Sequence, residues 1–508
     1  MRPEGWERAV EQINNVLWSE VFVGFCLLTG LYFSVRTGFL QLRLAGTMVA
    51  LIRESRPSAA GISSFQAFCT ALAGRVGTGA ISGTAAAIFY GGAGAVFWMW
   101  VLAFLGAATT FVESALGQIY KIKLDGEYRG GPAYYIEKYT GKKWYACLFA
   151  GTLVLSAGLL QPGVQSNAIA ASFYGALGIP QWLSGLVIAV LLGLIIFGGI
   201  RRIAVFSEMA VPAMAGAYLL VALVLVLANL DKLGEVLQMI FHGAVGADAA
   251  FGGILGSTIM WGVRRGIYSN EAGLGTQPHA AAAAEVSHPA KQGLVQAFGV
   301  YIDTWLVCSA TAFMLLVTDC FNTVGRSGYL HVGQGSPLMA GYAQEGLVGP
   351  EYAQAAVNTL FPGFGGLFVA VCLACFAFTS LLSLYYQAEC NLAYLFRGKA
   401  SAGRTPATLA LRLLMVGASW YFCVHSAEGA WAAGDVGVSL TAWLNLLALW
   451  YAQRPALLCL RDFEAQRKQG LDPCFRPGRL GIRNAELWDE MAGLRAGPGT
   501  TGLRRPAG

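Results

Sequence analysis

Gly74-Arg75-Val76-Gly77-Thr78-Gly79-Ala80-Ile81-Ser82-Gly83 sets five glycines or alanines and one arginine inside an otherwise apolar span. A helix in lipid must satisfy its backbone polar groups internally, so a glycine-dense interruption at bilayer depth is tolerated only where it is buried in protein or lines a cavity. Such an interruption frees N–H and C=O groups that can hold a small zwitterion and a cation, as the discontinuous helices of transporters do.

The rest of the chain fits that setting. Of its 508 residues 56% are hydrophobic and only 12% charged, and the mean hydropathy is +0.55. Those charges are too few to cover a soluble surface of this size. The expected fold class is therefore an all-α integral membrane protein. Apolar runs long enough to cross roughly 30 Å of hydrocarbon, about 20 residues each, centre on 17–35, 63–90, 92–118, 145–175, 182–200, 206–228, 251–283, 293–318, 364–387, 407–424 and 430–451. Eleven transmembrane helices are expected.

Lys and Arg set the orientation, because positive loops stay in the cytoplasm. The segments after spans 1, 3, 5, 7 and 9, with the tail, hold 26 of these residues, and the opposite set holds 4. The split places the N-terminus outside and the C-terminus in the cytoplasm of a multi-pass cell (plasma or inner) membrane protein. The formal charge of +6 is accounted for by this bias, and no nucleic-acid partner is expected. Residues 1–16 lack the pattern of a cleavable signal peptide, so the first span is expected to remain in the protein.

Residues 1–16 read as an external N-terminus and 17–35 as an extra leading helix. The remaining spans then form two sets of five, 63–228 and 251–451, each opening with a glycine-interrupted helix. Five is odd, so the second set enters from the opposite side. Matching interrupted helices in two inverted halves point to a transporter whose site lies at the repeat interface. The second interruption is expected around Met260-Trp261-Gly262-Val263-Arg264-Arg265-Gly266, followed by Ser269-Asn270-Glu271-Ala272-Gly273, making helices 2 and 7 the discontinuous ones. The external loop 319–363 is long enough to form a lid. The basic tail 452–508, rich in Pro and Gly beyond 496, reads as a cytoplasmic, partly disordered extension.

Several polar groups inside the spans are candidates for function. Thr78 and Gly79 supply N–H donors for a substrate carboxylate, aided by the partial positive charge of a half-helix N-terminus, and small residues at 77, 79 and 83 alternatively serve tight helix packing. Met260, Trp261 and Gly262 are expected to offer backbone oxygens and an aromatic wall. Asn270 either meets the ligand or caps the broken segment. Arg75, Glu113 and Asp303 are charges within spans, which default to functional readings; gating or structural ion pairs, also involving Glu208, Asp435, Arg264 and Arg265, are weighed against proton carriage by Glu113 or Asp303. His242, His279 and His288 show no ligand spacing and are expected at the interface. Cys372 and Cys375 read as helix packing rather than a metal or redox pair.

The run Gly91-Gly92-Ala93-Gly94-Ala95-Val96-Phe97-Trp98-Met99-Trp100-Val101-Leu102-Ala103-Phe104-Leu105-Gly106 resembles the signature of the alanine or glycine:cation symporter family (sodium:alanine symporters). Further pieces match in the same order: Gly130-Gly131-Pro132-Ala133-Tyr134-Tyr135, Gln165-Ser166-Asn167, Arg265-Gly266 with Ser269-Asn270-Glu271-Ala272-Gly273, and Ile302-Asp303-Thr304. The resemblance covers roughly 17–451. It implies the leucine-transporter type of fold, a 5+5 inverted repeat behind one leading helix. The activity it implies is secondary active import of small neutral amino acids, alanine or glycine, coupled to sodium by alternating access, with sodium as coupling ion rather than a tightly held cofactor. Proton-coupled transport of a different small amino acid and passive facilitation are the alternatives.

By the same resemblance Gln165 contacts substrate, and sodium is held by the carbonyls of Ala73, Val76 and Phe376 with the hydroxyls of Thr379 and Ser380. Those hydroxyls alternatively bond back to carbonyls of their own helix. Where the family's helix 2 reads Gly-Thr-Gly-Asn-Ile, this chain has Ala80, which lacks the amide that helps hold an ion beside the substrate. No nucleotide-binding loop, metal-ligand cluster or soluble catalytic domain points to an enzyme.

Overall fold

The computed structural model describes residues 5–54, 61–245, 252–325, 328–337, 349–397 and 406–496. Residues 1–4 of the N-terminal segment, 251 at the start of the second set and 497–508 of the tail lie outside them. The described chain is mostly helical, as apolar segments that must pair their own backbone require.

Helix α1 (Gly5–Leu17) runs into α2 (Glu20–Arg36) through a 41° bend, and short α3 (Leu40–Arg43) and α4 (Ala45–Arg53) follow. The first interrupted segment is two half-helices, α5 (Ser64–Arg75) and α6 (Thr84–Gly91), joined through a π-helical turn at Gly79–Gly83. After α7 (Gly94–Ile119) come the hairpin β1 (Ile122–Leu124) and β2 (Glu127–Arg129), α8 (Pro132–Thr140), and α9 (Lys143–Leu155), which passes through a π turn into α10 (Gln161–Leu177). Then follow α11 (Gln181–Ile196), α12 (Gly199–Leu227) and α13 (Leu233–Val245). The second broken segment is α14 (Gly252–Asn270) and α15 (Gln277–Ala283). Beyond it, α16 (Pro289–Tyr301) continues through a π turn at Ile302–Cys308 into α17 (Ser309–Val317). A second hairpin, β3 (Asn322–Gly325) and β4 (Gly328–Val332), and α18 (Glu351–Asn358) lead to α19 (Gly365–Leu395), α20 (Pro406–Cys423), α21 (Ala427–Ala452), α22 (Arg454–Lys468) and α23 (Glu486–Ala496).

Among the described residues seven stretches are long and apolar enough to span a bilayer: α7, α9–α10, α12, α16–α17, α19, α20 and α21; the bent α1–α2 pair makes eight. The chain is thus a multi-pass membrane protein. α11 is shorter, and α5–α6 and α14–α15 are each cut by a break.

Position in the bundle follows composition. Every residue from Ala67 to Phe89 is buried, and the two broken segments pack on α7, α12 and α19. By contrast Val190, Leu194, Leu223, Leu413 and Leu414 on α11, α12 and α20 stand exposed, as expected of side chains that face lipid.

The segment after α21 folds back on the bundle as far as it is described. Phe463, Phe475 and Trp488 are buried, the Phe475 N–H donates to Ser287 O at 3.0 Å, and the Trp488 indole N–H donates to Gln118 O at 2.8 Å. In the 319–363 loop, Thr323 Oγ1 donates to Ile88 O at 3.3 Å, which ties the hairpin to α6; residues 326–327 and 338–348 of this loop lie outside the described set.

Candidate functional site

The first break is built from its own sequence. Ser63 and Gln66 form a capping box that starts α5, and its last turn ends at Arg75. Val76 has ψ 78°, which takes its carbonyl out of the helical ladder. The chain then tightens, with Gly77 N–H on Arg75 O at 2.8 Å and Ala80 N–H on Gly77 O at 3.2 Å. Thr78 N–H has left the ladder. It donates to Gln165 Oε1 at 3.1 Å, and the Thr78 hydroxyl donates to the same oxygen at 3.2 Å. Glycine is required here by space. A methyl on Gly77 would fall on Ser380 Oγ and lie 2.8 Å from Gln165 Oε1, and one on Gly79 would lie 3.0 Å from Ser269 Cα. Thr78, Gly79, Ala80 and Gln165 are therefore brought together, and all are buried.

The residues assigned to sodium gather on the other side of Gly77. Ser380 Oγ donates to Ala73 O at 2.7 Å, across from α19 to α5, and lies 3.0 Å from Phe376 O. Thr379 Oγ1 donates to Phe376 O at 2.9 Å. The hydroxyls thus do bond back to their own helix, and Ser380 also joins α19 to the break. Two hydroxyls and carbonyls without a formal charge are the donor set a desolvated monovalent cation needs.

The second break lies elsewhere than the glycines suggested. α14 runs unbroken through Met260, Trp261 and Gly262 to Asn270, so their carbonyls sit inside a helical ladder and are not offered to a ligand. Gly262 is a packing glycine, since a methyl there would lie 2.6 Å from Ala95 O and 2.7 Å from Trp98 Cβ on α7. The chain breaks instead at 271–276, where Glu271, Gly273 and Gly275 take φ of 56°, 84° and 79°. Asn270 serves this turn: its Oδ1 accepts from Ala272 N–H at 3.0 Å and its amide donates to Thr304 Oγ1 at 3.3 Å. Trp261 stacks on Tyr90 at 4.4 Å beside Arg264 and Arg265, whose guanidinium carbons lie 4.9 and 5.2 Å from its ring.

Charges inside the bundle sort into separate groups. Arg264 and Arg265 both reach Asp435 Oδ2, at 2.6 and 3.1 Å. Glu113 caps the second break, accepting from Gly273 N–H at 3.4 Å, Gly275 N–H at 3.1 Å and Asn445 Nδ2 at 2.8 Å. Asp303, in the π turn, accepts from Ser269 Oγ at 2.9 Å and Thr304 Oγ1 at 3.0 Å. Arg75 donates to Gln296 O at 2.9 Å, and its Nε and Nη2 have no hydrogen-bond partner among the described residues. Of the pairings open to these charges, none joins Arg75 to Glu113 or Asp303 among the described residues. Nor is Glu208 a partner of the buried arginines: it accepts from Gln66 Nε2 at 2.9 Å.

Set beside known proteins, residues 4–477 match the sodium:alanine symporter family. The chain belongs to that family. It is 52% identical over 481 residues to the putative sodium/proton-dependent alanine carrier protein YrbD of Bacillus subtilis (strain 168), covering 95% of this chain and 97% of that one. Similarity to the sodium/proton-dependent alanine carrier protein of Bacillus sp. (strain PS3) is 47% identity over 446 residues, 87% of this chain and 97% of that one. A solved Na+-coupled sialic acid symporter in a substrate-bound outward-open state shares the fold at 12% identity and a TM-score of 0.51, over 95% of this chain and 98% of that one. Members of this family are transporters, not enzymes.

Three features of this symporter escaped sequence reasoning. Ser269 abuts Gly79 and holds Asp303, yet serine in a helix ordinarily bonds to its own backbone. His279 is fully buried rather than interfacial because both ring nitrogens have partners, Thr276 O at 2.9 Å and the Asn391 amide at 2.7 Å. His288 is buried as the cap of α16, its Nδ1 accepting from Ala290 N–H at 3.2 Å and its Nε2 lying 3.1 Å from Asp462.

Proposed function

We propose that this symporter imports alanine, and glycine with it, by alternating access, with sodium bound between α5 and α19 and the amino acid at Thr78, Gly79, Ala80 and Gln165. The carrying observation is the Thr78 N–H and hydroxyl pair, freed by the break and held by a single neutral acceptor, Gln165 Oε1. An amino-acid carboxylate is the stronger acceptor. It displaces that oxygen, while the amide of Gln165 remains to meet the substrate. The positive end of the segment starting at Gly79 favours the same group.

Sodium sits on the carbonyls of Ala73, Val76 and Phe376 and the hydroxyls of Thr379 and Ser380. Because Ser380 and Gln165 both border Gly77, ion and substrate share one wall of the site, and occupancy of one organises the other. A cation moved inward gains roughly 2.3 kcal/mol per 100 mV of membrane potential, a few tens-fold of accumulation before the sodium gradient is counted.

In this reading eleven spans are formed by α2, α5–α6, α7, α9–α10, α11, α12, α14–α15, α16–α17, α19, α20 and α21. The last ten make two inverted sets of five. The positive-charge bias places the N-terminus outside and the tail in the cytoplasm of the cell membrane. Equilibrium binding of labelled alanine and glycine to purified protein tests the site: affinity is expected to rise in sodium relative to potassium, and equal affinity in the two salts overturns the reading.

A further inference from the structure

On the orientation proposed above, α5 and α15 are the cytoplasmic halves of the two broken segments, and their ends are tied to each other. Ile62 N–H, ahead of α5, donates to Ala283 O at 3.0 Å, and Glu285 N–H donates to Ile62 O at 3.1 Å. Ala284 O, at the C-terminal end of α15, takes two donors from the end of α7: Gln118 Nε2 at 2.9 Å and Lys121 Nζ at 2.8 Å. Such donors are favourable at a helix C-terminus, whose last carbonyls lack partners in the helix. The start of α5, the end of α15 and the end of α7 thus form one corner of the cytoplasmic face.

The segment after α22 lies across this corner. Trp488 is 1% exposed; its indole N–H donates to Gln118 O at 2.8 Å, and its ring lies 5.3 Å from Lys121 Nζ. Phe475 packs edge-on against Trp488 at 5.2 Å and against His288 at 5.3 Å, on the connection from α15 to α16. Lys291 Nζ lies 2.7 Å from Asp472 Oδ1. The same segment also reaches α8, where Asn484 Nδ2 donates to Lys138 O at 2.7 Å and Glu486 pairs with Lys138. α8 is fastened to the opposite side of the bundle: Tyr134 OH donates to Cys390 O on α19 at 3.1 Å, and Glu137 accepts from Tyr394 OH at 2.5 Å and pairs with Arg397. The two attachments differ in kind. At the corner the segment buries aromatic rings, whereas at α8 it relies on Glu486, whose side chain is 61% exposed, and an exposed ion pair is weakly held. The segment is therefore built to stay on the corner and to part from α8.

We propose that residues 469–491 are a cytoplasmic strap whose latch, Asn484 and Glu486 on Lys138, must open for the amino acid to leave inward. This rests on the alternating-access reading above. Thr78, Gly79 and Gln165 are buried, so substrate reaches the cytoplasm only when α5 and α15 part from α19, on which both pack. The strap bridges that seam, with the corner of α5, α7 and α15 on one side and α8, fastened to α19, on the other. Sodium and alanine arriving from outside do not need the seam to open, so the latch acts on release and not on binding.

The test is a reversible cross-link across the latch. The full chain carrying Lys138→Cys and Glu486→Cys is reconstituted in proteoliposomes and treated with a membrane-permeant bifunctional thiosulfonate, the bridge being verified by mass spectrometry. Wild type treated in the same way is the control, because Cys375 and Cys474 are exposed. Cross-linking is expected to lower sodium-driven alanine uptake at least tenfold, reduction to restore it, and equilibrium alanine binding in sodium to stay within twofold. Uptake within twofold of the untreated variant at full cross-linking overturns the proposal. Loss of binding together with uptake overturns it as well, since the cross-link would then distort the site itself. Absence of sodium-stimulated alanine binding in wild type would instead remove the reading beneath it. Should the double variant not reconstitute, Glu486→Lys decides, because it sets like charges against each other at an exposed position. Efflux of preloaded alanine at least threefold faster than wild type, at unchanged equilibrium binding, supports the latch, and unchanged efflux refutes it.

Discussion

Adding one methyl group at Gly77 tests the geometry of the site most economically. Gly77 does not adopt a left-handed conformation, so Gly77→Ala meets no backbone penalty and acts through space alone. The new Cβ falls on Ser380 Oγ and lies 2.8 Å from Gln165 Oε1. Both are ends of side chains that can swing away, but each is engaged, Ser380 with Ala73 O at 2.7 Å and Gln165 with Thr78 N–H at 3.1 Å. Losing two hydrogen bonds costs about 1 kcal/mol each, and forcing a methyl into a packed interior adds about 1–3 kcal/mol. The total is about 3–5 kcal/mol. Spent at a site that must bind ion and substrate together, the lower end of that range already corresponds to a loss of roughly 100-fold or more. The assay is sodium-driven alanine uptake normalised to the folded protein recovered in the liposomes. Uptake within twofold of wild type at equal folded yield would refute the placement of substrate and sodium on either side of Gly77.

Ser380→Ala removes the hydroxyl that joins α19 to Ala73, and the sodium concentration for half-maximal uptake is expected to rise about tenfold, the equivalent of about 1.4 kcal/mol, with little change in alanine affinity at saturating sodium; an unchanged sodium titration counts against the ion site. Ala80→Asn places an amide beside the break, and higher sodium sensitivity or altered substrate preference is expected, read from uptake kinetics across a panel of amino acids; identical kinetics would show that position 80 is silent. Docking of the tail is expected to weaken in acid. The hydrogen bond from His288 holds the Asp462 carboxyl below its usual range, and burial holds His288 below its own. Both groups favour the docked state when deprotonated, so their contribution is complete above about pH 6.5 and is lost as the pH falls, through His288 first and Asp462 later. Hydrogen exchange of residues 469–485, corrected for intrinsic rate, should therefore rise between pH 7.5 and pH 5; greater protection at pH 5 would contradict the assignment.

The first break was legible because its glycines are bound by space: a methyl on Gly77 would meet Ser380 and Gln165, one on Gly79 would meet Ser269, and the freed Thr78 is polar in an apolar run. The second was misplaced because glycine has two uses in a membrane helix that sequence does not separate. Gly262 and Gly266 let α14 approach α7, where a methyl on Gly266 would lie 2.8 Å from Leu102 Cδ2. The break itself needs φ > 0, which Gly273 and Gly275 supply alongside Glu271. Partners of buried charges were hidden for a related reason. Glu113 is satisfied by backbone N–H groups that exist only once the second break has formed, and no residue identity announces them. The tail reads as polar and basic, yet Phe475 and Trp488 are anchors spaced too far apart to give a periodic signal.

Uptake of labelled alanine into proteoliposomes, under an inward sodium gradient and under an equal potassium gradient, tests the central claim most directly. Accumulation above the external concentration with sodium and simple equilibration with potassium is the predicted result; equal uptake under the two gradients, without accumulation, would contradict sodium-coupled symport.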